Sequence, residues 1–198
     1  MGLNVFLALV MFVFVTSFSP GPNTIMLTTS GVNFGFARTI PHMTGITLGF
    51  LTLLIASAAG LGLVFVAVPA LQTVLKIAGA VYMMWLAWKV ANASALPDRS
   101  AALARPLTFI EAALFQWVNP KAVVIALSAI AVFVRPDNQL ADVAVVLSVF
   151  MLATALSIAA WTGFGVALRG ILNSPQRARV FNVTMALLLV ASIVPMVL

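Results

Sequence analysis

The chain has 198 residues, 63% of them hydrophobic and 7% charged, with ten basic and four acidic residues, a formal net charge of +6 and a mean hydropathy of +1.18. A soluble domain carries about 25% charged residues, so this composition excludes one and predicts an integral membrane protein. With no cysteine, disulfides, thiolate metal sites and cysteine nucleophiles are excluded as well, and the basic residues stand singly between apolar spans rather than in a stripe suited to nucleic acid.

Residues 3–27 form the first apolar run, uncharged and long enough to cross a bilayer. No basic residue precedes it and no small-x-small site follows, so a cleaved signal is not expected. About two thirds of the way along stands Phe18-Ser19-Pro20-Gly21-Pro22-Asn23. Each proline there removes a backbone donor and crowds the preceding turn, so a regular helix cannot pass through both. Hydrocarbon cannot satisfy the carbonyls that are freed. Broken backbone at membrane depth persists only where it is buried in protein or lines a wet cavity, which points to a pathway or binding site.

Residues 30–41, with Gly31, Asn33, Gly35, Arg38 and Pro41, read as a loop, and residues 42–68 as a second span bracketed by Pro41 and Pro69. The third span, 72–89, ends in Tyr82, Trp85, Trp88 and Lys89, where an interfacial belt belongs. Residues 91–106 hold Asn92, Ser94, Pro97, Asp98, Arg99 and Arg105 and make the longest loop, near the midpoint. A fourth span, 108–134, is interrupted at Asn119-Pro120-Lys121, a fifth covers 141–168 and a sixth 180–198, with polar connections at 135–139 and 169–176.

Loops that alternate sides put Arg38, Lys89, Arg99, Arg105, Arg169, Arg177 and Arg179 together, and Lys76 and Arg135 opposite with Asp137 and Asp142. The basic-rich side is expected to be cytoplasmic, with both termini periplasmic. Two halves of three spans joined by one loop have opposite orientations, and the first helix of each half carries a break at a comparable place. Lys76 and Gly79 in the third helix match Arg179 and Asn182 in the sixth in spacing. The expected fold is therefore an all-α integral membrane protein of six transmembrane helices in two inverted three-helix repeats. It forms a single transporter domain, 1–198, with repeat one at 1–90, a cytoplasmic linker at 91–107 and repeat two at 108–198. Paired breaks in corresponding segments are the sequence pointer to a midplane substrate site in a secondary transporter.

Half-helices starting at Pro22-Asn23 and Pro120-Lys121 present free N–H groups and the positive ends of their dipoles, which suit a carboxylate. Lys121 adds a full charge about 13 residues into its span, too deep to snorkel readily. The freed carbonyls and the Asn23 and Asn119 side chains accept from an ammonium group. A small zwitterion matches this inventory better than a bare cation. The expected substrate-binding residues are Ser19, Pro20, Gly21, Pro22, Asn23, Gln116, Asn119, Pro120 and Lys121, with Ser17 and Thr24 nearby. Candidates for coupling to an ion gradient are Lys121 and Glu111, although Glu111 also suits a helix start paired with Arg105.

Competing structural roles weigh against other residues. Gly45 and Gly49, Gly60 and Gly62, and Gly163 and Gly165 are expected to pack helices. His42, the only histidine, reads as an interfacial polar residue at a helix start rather than a proton relay. Asn92-Ala93-Ser94 and Asn182-Val183-Thr184 fit the glycosylation sequon but fall in a cytoplasmic loop and a helix. No Gly-x-x-x-x-Gly-Lys-Ser/Thr is present, so no ATPase site is expected, and the dispersed acidic residues with one histidine suit neither a metal site nor a hydrolase. The chain is not expected to be an enzyme or to carry a cofactor. Its expected partners are a zwitterionic substrate and lipid, and a homo-oligomer is compatible with the sequence. An uncoupled solute or ion channel, or a membrane scaffold subunit, is the alternative reading.

The sequence resembles the LysE/RhtB family of bacterial amino-acid exporters along nearly its whole length. The resemblance is carried by Ser19-Pro-Gly-Pro-Asn23, the Gly45 to Gly49 helix, Lys76-Ile-Ala-Gly79 leading to Tyr82 and Trp85-Leu-Ala-Trp-Lys89, and Phe115-Gln-Trp-Val-Asn-Pro-Lys121. The last two stretches look most like the branch that exports cysteine and O-acetylserine; homoserine, threonine, leucine and lysine exporters share the scaffold. The resemblance implies efflux of amino acids or their derivatives across the bacterial inner membrane by proton antiport.

Overall fold

A computed structural model describes residues 1–92, 105–172 and 174–194 of the chain. Among them every regular element is helical: α1 (Leu3–Phe18), α2 (Pro22–Phe34), α3 (Phe36–Ala56), α4 (Gly62–Ala67), α5 (Pro69–Ala91), α6 (Phe109–Val118), α7 (Pro120–Phe133), α8 (Gln139–Leu168) and α9 (Pro175–Ala191). A π-helical turn, Ser57–Leu61, joins α3 to α4, and a 3-10 turn, Pro136–Asn138, precedes α8. Three continuous helices are long and apolar enough to cross a membrane: Phe36–Ala67, Pro69–Ala91 and Pro136–Leu168. Counting each bent pair, α1 with α2 at 53° and α6 with α7 at 67°, as one span brings the number to five. The sixth expected span corresponds to α9, which starts at Pro175 rather than 180 and has 17 residues; residues 195–198 lie outside the described chain.

Both breaks fall where the prolines demand. Pro22 and Pro120 each take the first position of a new helix, where a missing N–H costs nothing. The expected loop at 30–41 is not one. Residues 30–34 complete α2, the chain turns at Gly35 alone (φ +83°, ψ 172°), and α3 already runs through Pro41. A positive φ at glycine makes the turn that a longer loop was expected to make. Pro41 sits in the second turn of α3 and forfeits only its own donor to Ala37. Around that turn the buried polar side chains find partners: Ser30 and Thr39 share a 2.8 Å hydroxyl contact, and Thr39 Oγ1 donates to the Gly35 carbonyl at 2.8 Å. His42 is accordingly inside α3, not at its start, and is buried with 1% exposure.

α3 packs most extensively on α6, α2 on α8, and α5 on α9. Small residues allow the first two crossings. A Cβ at Gly45 would run into the Phe109 carbonyl, and one at Gly49 would stand 2.5 Å from the Ala113 Cα. At the other crossing Gly31 lies against the Thr162 carbonyl and Gly165 against the Thr28 carbonyl, again with no room for a methyl. Backbone contact of this kind holds helices together in lipid, where apolar surfaces gain nothing by leaving one another's neighbours. Gly163, expected to pack as well, has nothing within 4 Å of its missing Cβ, and Gly60 serves the π turn with φ +106°.

Two apolar clusters fill the interior. One gathers Met26, Leu27, Met83, Leu86, Phe115 and Leu189, the other Leu9, Val13, Leu53, Leu54, Phe133 and Phe150. Outside them, Leu7, Met11 and Phe14 of α1 and Val74, Ile77, Val81, Met84 and Trp88 of α5 are exposed, a surface suited to acyl chains.

The ends of the bundle are marked by charge. Arg169 lies beside Gly35, so the α2–α3 turn and the end of α8 share one side. At the other, the Met1 ammonium is 3.9 Å from Asp142, which also holds Arg135 at 2.7 Å. This agrees with the expected grouping of Arg38 with Arg169 and its separation from Arg135. Arg99 and the Asn92-Ala93-Ser94 sequon beyond Asn92 fall outside the described residues.

Candidate functional site

The two helix breaks meet. Asn23, in the first turn of α2, and Gln116, in the last turn of α6, exchange hydrogen bonds through both ends of their amides: Asn23 Nδ2 donates to Gln116 Oε1 at 2.8 Å and Gln116 Nε2 to Asn23 Oδ1 at 3.2 Å. Gln116 is fully buried, and its Nε2 also donates to the Ala112 carbonyl at 2.9 Å. A buried amide so fully engaged fixes the relative position of the two half-helices.

Lys121 makes the second bridge. From the first turn of α7 its Nζ reaches into the other break and donates to the Ser19 carbonyl at 2.7 Å, Ser19 Oγ at 2.8 Å and the Pro20 carbonyl at 3.3 Å. Gly21 leaves the space for this. A Cβ there would stand 3.0 Å from Lys121 Cδ and 3.1 Å from Nζ. The ion pairs formed among the described residues are Met1 and Arg135 with Asp142 and Arg105 with Glu111, so Lys121 is held by neutral oxygens alone.

Three of the carbonyls at the end of α1 have partners. Val15 accepts from the Ser19 amide at 3.0 Å, Thr16 from Ser19 Oγ at 3.0 Å, and Ser17 from Ser157 Oγ of α8 at 2.7 Å. Donors at the new helix starts are less committed. Asn119 caps α7, its Oδ1 accepting from the Lys121 amide at 3.2 Å. Thr24 Oγ1 sits at 2.8 Å from both the amide and the carbonyl of Gly21, and helix geometry leaves the Asn23 and Thr24 amides without intrahelical acceptors. Those amides carry the positive end of the α2 dipole.

These groups line a half-open cavity. Of the residues expected at the site, Gly21, Pro22, Asn23, Gln116, Asn119 and Lys121 line it directly, as do Ser17 and Thr24. Ser19 and Pro20 are reached through Lys121, and Pro120 starts the helix that carries it. Glu111 lies elsewhere. It closes the capping box of α6 with Thr108, accepting from the Thr108 amide at 2.7 Å, and is clamped by both terminal nitrogens of Arg105 at 2.7 and 2.8 Å. Its carboxylate in turn holds the exposed Arg105 guanidinium above its ordinary pKa. His42 does not line the cavity; among the described residues neither its Nδ1 nor its Nε2 has a partner.

The unbroken helices supply the wall that the sequence left unnoticed. α3 contributes Ile46 and Phe50, and α8 contributes Phe150, Thr154, Ser157 and Ile158. The spacing 150, 154, 157, 158 is one helical face, but a helix that is apolar on every side gives no sign of which face is wet.

Two broken helices whose ends converge on an amphipathic cavity, inside a bundle with a lipid-suited exterior, define a membrane transport protein. The profile of the LysE type translocator family matches residues 14–194. The chain belongs to that family. It is 32% identical over 178 residues, 89% of each chain, to the cysteine/O-acetylserine efflux proteins of Escherichia coli O9:H4 (strain HS), Escherichia coli (strain K12) and Shigella flexneri serotype 5b (strain 8401). No solved structure matches it.

Proposed function

We propose that the chain is a secondary transporter exporting small amino acids or their derivatives across the bacterial inner membrane by proton antiport. The observation that carries this reading is the Lys121 ammonium, held between two helix breaks by neutral oxygens only. An intramembrane charge with no counter-ion is costly unless an anionic ligand completes it. A substrate carboxylate does so, and the free amides at the start of α2 lie on the same cavity. Once Lys121 turns toward that carboxylate, the Ser19 and Pro20 carbonyls become acceptors for the substrate ammonium. The site thus suits a zwitterion, with the Lys121 ammonium on the oxygens that would receive the substrate's. The efflux relatives, named for cysteine and O-acetylserine, support amino-acid cargo.

Of the two coupling candidates, Lys121 lines the cavity and Glu111 does not, so proton exchange is assigned to Lys121. Six spans in two inverted repeats, with halves 1–90 and 108–198 and a linker at 91–107, accord with the packing. The broken helix of each half lies on the long helix of the other, α6 on α3 and α2 on α8, while α5 and α9 pair. The excess of basic residues on the Arg38 side assigns it to the cytoplasm and both termini to the periplasm.

The test is export of a panel of amino acids from loaded cells producing wild type or Asn23→Ala, with the proton gradient intact or collapsed. Selective export by wild type is expected, lost in the variant and slowed without the gradient. An inserted wild-type protein that exports none of them overturns the proposal, and export indifferent to the gradient and unsaturable in substrate favours a channel.

A further inference from the structure

The α8 wall of the cavity holds one polar group with no task inside the protein. Serine and threonine hydroxyls in helices ordinarily bond back to the carbonyl three or four residues earlier. Thr16, Thr29, Thr44, Thr47 and Thr52 do so, at 2.7 to 3.2 Å, whereas Thr162 of α8, away from the cavity, is buried without a partner among the described residues. On α8 the Ser157 hydroxyl is committed to the Ser17 carbonyl at 2.7 Å. Thr154, one turn earlier on the same face, is half-buried and lines the cavity, yet its hydroxyl bonds to nothing among the described residues. The same cavity has an apolar wall. Phe150 and Phe50, 1% and 7% exposed, meet edge to face with centroids 5.2 Å apart, and Ile46 and Ile158 flank them on the cavity.

We propose that Thr154 is a specificity-determining residue: its hydroxyl receives the polar tip of the substrate's side chain while the ammonium and carboxylate are held at the helix breaks. The inference rests on the cavity being the amino-acid site. The class it selects is small amino acids whose side chain carries a hydroxyl or thiol a bond or two from Cα. The Phe50–Phe150 pair limits length, and an apolar chain of equal size leaves the hydroxyl unbonded. A site that hydrogen-bonds a substrate hydroxyl discriminates against the isostere lacking it.

Purified protein in proteoliposomes tests this with two isosteric pairs, L-serine against L-2-aminobutyrate and L-threonine against L-valine, measured as the ratio of kcat/KM within each pair. Wild type is expected to favour the hydroxyl member. Thr154→Val, which swaps the hydroxyl for a methyl of the same shape, lowers that ratio about three- to tenfold, the range of one neutral hydrogen bond. Thr154→Ser keeps the wild-type ratio. An unchanged ratio in Thr154→Val overturns the proposal, as does an equal loss of both members in Thr154→Val and Thr154→Ser, which marks a purely structural role. Wild type that transports none of the four removes the amino-acid reading itself.

Discussion

In the proposed mechanism the cavity's chemistry turns on Lys121, which the sequence singled out as a charge about 13 residues into an apolar run, where an interfacial anchor was the competing role. Its partners were not legible. Nothing in the order of residues says that its ammonium crosses to the carbonyls of Ser19 and Pro20. Export is expected to fall at least tenfold in Lys121→Met, since hydrogen bonds to a charged group are worth about 1.5–3 kcal/mol each, while the protein still reaches the membrane. Normal export from the membrane-inserted variant would remove Lys121 from the mechanism. Gly21→Ala should be milder, because its methyl meets a flexible lysine rather than backbone. His42 poses the opposite case. Read as interfacial, it is a buried ring with both nitrogens unpartnered among the described residues, and an unsatisfied buried polar group costs about 1–3 kcal/mol. His42→Leu, close in volume and apolar, is therefore expected to raise the thermal midpoint in detergent. A lowered midpoint would mean that the ring has a partner the fold depends on.

At the scale of helices, the breaks were readable because proline acts through its own covalent structure, and both prolines do begin new helices. The boundary at 30–41 was misread for a related reason. Pro41 reads as a stop, but within the second turn it removes one donor only, and the turn depends instead on the positive φ of Gly35. Helix faces were the least legible feature. The glycine pairs looked alike in sequence, yet Gly45, Gly49 and Gly165 sit against neighbouring backbone, as does Gly31, which was read as part of a loop, while Gly163 meets nothing. Gly45→Val and Gly165→Val are therefore expected to cost well over the 1–3 kcal/mol typical of overpacking, because rigid carbonyls stand where the new atoms would go. Yield of folded protein from size-exclusion chromatography would collapse. Gly163→Ala should be neutral or stabilising by up to about 1 kcal/mol through helix propensity. Equal yields across the three would show that the crossings are looser than described.

For the whole molecule, composition alone identified a membrane protein, and the count of spans was the weaker inference, since a broken helix and two short ones have the same hydropathy. Which groups share an end of the bundle is better supported, because two independent contacts sort them: Arg169 beside Gly35 at one end, Met1 beside Asp142 at the other. The absence of native cysteine makes the arrangement directly measurable. Single cysteines at Gly2 and Asp137, both near the Asp142 end, are expected to react with a membrane-impermeant maleimide in intact cells. Those at Asn92 and Gly170, where α5 and α8 finish on the Arg38 side, should react only in inverted vesicles. Labelling of Gly2 together with Gly170 would dismantle the shared-end argument. The reverse pattern at all four sites would keep the bundle and invert it, placing the basic residues outside against the bias that membrane insertion imposes. In either case the same preparation can report on transport. Asp137 and Gly170 lie outside the cavity, and with the protein oriented, the direction of net amino-acid flux follows from which face of the vesicle is loaded.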